Sequence, residues 1–144
     1  MIRKTLAAAA AAATLAAPAA ADMEENLVTV VTSPEPQTQL MSMVLTMQAV
    51  QKGVDARILL CGPAGDMALA DAPESVTAPQ PPRDMSPQGL LKAAIENGAT
   101  AEVCAIYLPG RGDGPEVLME GVGVAEPPAM ADALLADDAA VWSF

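Results

Sequence analysis

Cys61 and Cys104 are the only soft nucleophiles in this 144-residue chain, and no histidine accompanies them. A cysteine attacks as its thiolate, so either residue can react only where its surroundings favour that form. Arg111 is the one base near Cys104 in sequence that could add positive charge beside it. Each cysteine also has a plainer reading, as a small buried hydrophobe. The missing imidazole removes Ser-His-Asp triads, Cys-His dyads and histidine metal sites from consideration. Tyr107, Trp142 and Phe144 are the only rings, and acids outnumber bases 18 to 7. Such a chain lacks both the charge and the stacking surfaces for nucleic acid, so no nucleic-acid partner is expected.

Whether the two thiols can meet depends on the elements that carry them. Residues 55–61 read as a strand ended by Gly62-Pro63, with Cys61 its last residue, and residues 101–107 read as another, with Cys104 late in it. A disulfide needs Cα atoms within about 7 Å. Neighbouring strands would meet that condition, and a strand lying between them would not. Cys61 therefore stays open as a second reactive thiol, a resolving thiol or a core residue.

The remaining segments alternate in type. Residues 27–32 form a β-branched run that reads as a buried strand. Pro36 opens a helix closed by Gly53, with Leu40, Met43, Val44, Met47 and Val50 at helical spacing. Met41, Leu45 and Ala49 broaden its apolar surface, as in a helix covered on two sides. A short helical piece is expected at 65–70, and an exposed, partly extended loop at 72–87, where five prolines fall. Ser86 can cap a helix opening at Pro87, with Leu90, Leu91, Ala94 and Ile95 inward and Asn97-Gly98 as its stop. A loop at 109–115, a turn of helix at 115–120 and a short strand at 122–125 follow. A last helix opens at Pro128 with Met130, Leu134 and Leu135 inward, and residues 139–143 close the chain as a strand. Strands alternating with helices predict a single three-layer α/β domain, with a mostly parallel sheet of about five strands and helices on both faces.

The N-terminus has the layout of an export signal. Arg3 and Lys4 precede an uncharged, alanine-rich run, Pro18 ends it, and Ala19 and Ala21 flank an A-x-A cut before Asp22. The run is short for a transmembrane helix, which needs about 20 residues. Residues 1–21 are thus expected to be removed, leaving a periplasmic domain of residues 22–144. Arg3 and Lys4 leave with the signal and no acid does, so 5 bases remain against 18 acids, a net charge of −13. That charge disfavours an anionic membrane surface.

Three stretches carry a family resemblance: residues 27–33 with the helix to Gly53, residues 54–62, and Leu90-Leu-Lys-Ala-Ala-Ile-Glu-Asn-Gly-Ala-Thr-Ala-Glu-Val-Cys104. In these the chain resembles the DsrE/DsrF-like proteins, which include the TusD/YchN-type sulfur-relay proteins. The resemblance implies that Cys104 accepts sulfane sulfur as a persulfide, in a sulfur carrier or sulfurtransferase with a protein sulfur donor or acceptor as partner. Assembly as a homo-oligomer is also implied, and the broad apolar face of residues 40–50 suits it. Tyr107-Leu-Pro-Gly stands where a helical continuation after the cysteine would be expected. The alternative is a non-catalytic binding or oligomeric assembly module of the same fold. An acidic surface would favour a basic partner in either case.

No cofactor or metal is expected. Met43 and Met47 share a helix face and Met41 does not, so the three thioethers cannot converge from one helix, and methionine as core filler is the simpler role. The Gly110-Arg-Gly-Asp-Gly114 run is followed at once by Pro115 and reads as a flexible turn rather than a phosphate loop.

Overall fold

A computed structural model describes residues 24–144. The export segment expected at 1–21 lies outside these residues. Strands β1 (Asn26–Val31), β2 (Asp55–Leu60), β3 (Thr100–Val103), β4 (Val122–Val124) and β5 (Ala139–Ser143) form one sheet. Its order is β4-β3-β2-β1-β5, and every neighbouring pair is parallel. Parallel neighbours need crossovers, and helices supply them. They are α1 (Pro36–Gln51), α2 (Glu74–Thr77), α3 (Pro87–Glu96), α4 (Tyr107–Arg111) and α5 (Pro127–Leu135), with a 3-10 helix at Gly62–Ala68. The single α/β domain with a five-stranded parallel sheet is the architecture the alternation predicts.

The two faces of the sheet are covered unequally. Side chains alternate along each strand. Leu27, Val31, Ile58, Leu60, Ala101 and Val103 point into the larger core, under α1, α3 and the 3-10 helix. Val28 and Leu59 point the other way, where Ala125 and Met130 of the α5 segment cover them. The second layer is thin. Leu135, expected inward, is 80 % exposed because α5 runs out past the small patch it covers.

Helix α1 meets the sheet through a stripe that differs from the apolar spacing. Met43 and Met47 are buried as expected, but so are Gln39, Ser42 and Thr46, while Met41 and Leu45 face outward. Buried polar groups need partners. Thr46 donates to the Ser42 carbonyl at 2.8 Å, which leaves Thr29 of β1 to donate to Thr46 at 2.8 Å. Ser42 donates to the Gln39 carbonyl at 2.7 Å. These bonds satisfy the hydroxyls without water and tie α1 to β1.

Two segments are more ordered than the proline count suggests. Within 72–87, residues Glu74–Thr77 form a helical turn, because Pro73 precedes it and the next proline falls after it. Val76 anchors that turn in the core. Ser86 caps α3 by accepting from the Gly89 amide at 3.1 Å, as its sequence position implies. The third strand ends at Val103, short of the expected 107, and Tyr107–Arg111 is helical, not loop. The chain after Cys104 therefore does continue as a helix, contrary to the expectation drawn from Tyr107-Leu-Pro-Gly.

Candidate functional site

The strand order decides the fate of the two cysteines. β2 and β3 are direct neighbours, with Leu60 opposite Val103, so Cys61 and Cys104 each lie one residue past the end of the same register. Alternation then turns both side chains to the same face, the thinly covered one on which Leu59 lies. The backbone holds them there. The Cys61 amide donates to the Val31 carbonyl and the Cys104 amide to the Leu60 carbonyl, each at 2.9 Å. Their Cα atoms are 5.1 Å apart and the two sulfurs are joined in a disulfide. That separation falls inside the usual span for such a bond.

The bridge lines an open cleft of about 490 Å³ at the carboxyl end of the sheet, with Gly62, Pro63, Asp66, Ile106, Tyr107 and Arg111. Both cysteines are half-buried, and Ile106 at the rim is 81 % exposed. A larger hollow of about 600 Å³ beside α3, lined by Lys92, Glu96 and Glu120 among others, contains no cysteine. Thiol chemistry is therefore confined to the strand-end cleft.

Local sequence builds the cleft wall. Gly62 takes a positive φ of 54°, which lets the chain turn sharply from Cys61 into the 3-10 helix. Gly65 lies against the Tyr107 ring so closely that a Cβ there would collide with it. The Tyr107 hydroxyl donates to Asp66 Oδ1 at 2.6 Å, tying α4 to the 3-10 helix across the cleft. Arg111 reaches the same carboxylate oxygen at 3.4 Å, donates from Nε to Asp113 at 2.9 Å, and sits 5.5 Å from the Tyr107 ring centroid.

The electrostatics follow from these contacts. Burial, then the hydrogen bond to Asp66 and its charge, holds the Tyr107 phenol well above its ordinary value. The hydrogen bond to Asp113 raises the Arg111 guanidinium further. Arg111 thus lines the cleft, but its charge is shared between two carboxylates and is not reserved for a thiolate. Asp66 was not singled out from sequence. The only signal was its position shortly after Cys61, and nothing local says that it meets Tyr107.

Tyr107 is the chain's single tyrosine, so its titration can be read directly. It is expected to show no tyrosinate absorbance at pH about 10, where a free tyrosine is half ionised, and spectrophotometric titration checks this. Asp66→Asn brings the ionisation to lower pH, and an unchanged titration in that variant would refute the Asp66 contribution. Folding raises this pKa. The stability it contributes is complete below the ordinary value and is lost as pH rises through the folded one.

Between them the elements bring together Cys61, Cys104 and Arg111, all three of the residues singled out by type. Met43 and Met47 are core and Met41 is exposed, so these thioethers do not form a common site.

No protein-family model matches the chain, and no curated protein matches it in sequence. Its structure is similar to that of the ychN protein from E. coli, with a TM-score of 0.65 at 19 % identity, over 85 % of this chain and 100 % of that one. It is also similar to the protein of unknown function MTH1491 from Methanobacterium thermoautotrophicum, with a TM-score of 0.59 at 16 % identity, over 85 % and 100 % of the two chains. With its sheet order, its crossovers and these likenesses taken together, the chain has the α/β fold of the ychN protein.

Proposed function

We propose that the protein is a periplasmic sulfur carrier or sulfurtransferase. When the bridge is reduced, Cys104 takes up a sulfane sulfur as a persulfide, with a protein as donor or acceptor. The observation that carries this reading is the position of Cys104. It stands at a strand end, half-buried, in an open cleft with room for an incoming sulfur donor. Arg111 borders that cleft. The export signal read at 1–21 and the disulfide both suit an oxidising compartment.

The test is uptake of sulfur. Cys61→Ser protein, in which no bridge can form, is incubated with inorganic polysulfide, alkylated and weighed intact. The expected result is the gain of one sulfur atom on Cys104, absent when Cys104 is replaced by serine as well. Folded Cys61→Ser protein that gains nothing would overturn the reading.

One observation favours the second reading, a non-catalytic binding or oligomeric assembly module. Among the described residues both thiols are consumed in the bridge. Leu45 of α1 and Trp142 of β5 are exposed beside one hollow and offer apolar surface to a second copy. The same measurement separates the two readings, since a module takes up no sulfur even when reduced.

A further inference from the structure

We infer that Cys61 is the first thiol to act on a persulfide at Cys104, so that the sulfur leaves as sulfide and the bridge is the product of that step. The inference rests on the persulfide reading of Cys104. It goes beyond it by fixing how the sulfur departs and by making the activity a reductive one.

The chemistry balances in three steps. First, a small or protein persulfide RSSH and the Cys104 thiol exchange to give RSH and Cys104–S–SH. The Cys61 thiolate then attacks Sγ of Cys104, the inner sulfur. The Cys61–Cys104 bond forms, the bond to the outer sulfur breaks, and hydrosulfide leaves with the electron pair. The outer sulfur is reduced by two electrons and the two cysteines are oxidised to the disulfide. Finally a dithiol reductant reopens the bridge and is itself oxidised to a disulfide. The sum is RSSH plus a dithiol giving RSH, hydrogen sulfide and the oxidised reductant.

Geometry selects the inner sulfur. The two Sγ atoms are already bonded partners in the structure, with Cα atoms 5.1 Å apart. Ladder hydrogen bonds at 2.9 Å fix both strand ends, so no rearrangement is needed for Cys61 to reach that atom. The outer sulfur of a persulfide would project into the cleft, which opens to solvent and gives hydrosulfide an exit. An external acceptor thiol competes poorly with such a neighbour. Effective concentrations for well-oriented intramolecular partners reach about 10⁵ M or more. Hydrosulfide is also a better leaving group than an alkyl thiolate, which speeds this cleavage.

The experiment follows the sulfur and the protein together. Protein is reduced with a dithiol, desalted and mixed with one equivalent of glutathione persulfide. Released sulfide is trapped, the protein is alkylated and weighed intact, and a protein-free control is subtracted. Wild type is expected to release one sulfide per chain and to end as the Cys61–Cys104 disulfide. Cys61→Ser is expected to hold the persulfide on Cys104 and to release sulfide roughly a hundredfold more slowly. Cys61→Ala should behave as Cys61→Ser does. Wild type that retains its persulfide as long as these variants overturns the inference and leaves the persulfide reading intact. Variants that fold by circular dichroism yet gain no sulfur overturn both. Should the variants fail to fold, wild type decides alone, because bridge formation without matching sulfide release refutes the mechanism.

Discussion

Reduction of the Cys61–Cys104 bridge lowers the free energy of unfolding by about 4 kcal/mol. The bridge closes a loop of 43 residues, and a loop of that length removes considerable freedom from the unfolded chain. The native state loses little in return. The strand ends are held by their own ladder bonds, so the reduced cysteines stay where they are. The whole loss therefore falls on the unfolded side, so the urea midpoint moves down and the slope rises as the unlinked unfolded chain expands. For a domain of this size the melting temperature should drop by roughly 15 °C. Urea unfolding with and without a dithiol checks this, with Cys61→Ser and Cys104→Ser each compared with reduced wild type. A midpoint that does not move on reduction would show that the link constrains nothing.

Leu60→Ala is expected to cost about 3–4 kcal/mol. Leu60 is fully buried in the larger core. It pairs with Val31 on one side and Val103 on the other, at the centre of the sheet. Truncation loses the transfer free energy of the deleted carbons and leaves a cavity that β-strands cannot close by shifting. Its carbonyl also receives the Cys104 amide, so a local shift moves one sulfur relative to the other. The two perturbations are therefore coupled, and the cost of Leu60→Ala should differ between oxidised and reduced protein. Together they approach the whole stability of an ordinary domain, about 5–15 kcal/mol. Equal costs in the two redox states would argue that the strand ends and the bridge are independent.

Local pattern carried much of the fold. The β-branched run of β1, the Pro-opened helices and the Ser86 cap each depend on near neighbours in sequence, and each stands close to where it was expected. Errors came where distant packing decided. Gln39, Ser42 and Thr46 face inward because β1 offers Thr29 and the helix offers carbonyls, which no apolar spacing can signal. Leu135 is apolar yet exposed because the layer it belongs to stops short. The helix at Tyr107–Arg111 is held by a hydrogen bond from Tyr107 to Asp66, 41 residues away in sequence.

Residue types alone set the chemical range of this protein. With no histidine and few rings, the two thiols were its only soft nucleophiles, and alternation of strands and helices made the α/β sheet the scaffold for them. Whether the thiols stood apart or together was a matter for tertiary structure. It turned on which strand lies beside which and in what register, and parallel neighbours are joined through distant crossovers that leave no local mark. Placing β2 against β3 with Leu60 opposite Val103 turned two separate cysteines into a linked pair beside Asp66, Tyr107 and Arg111.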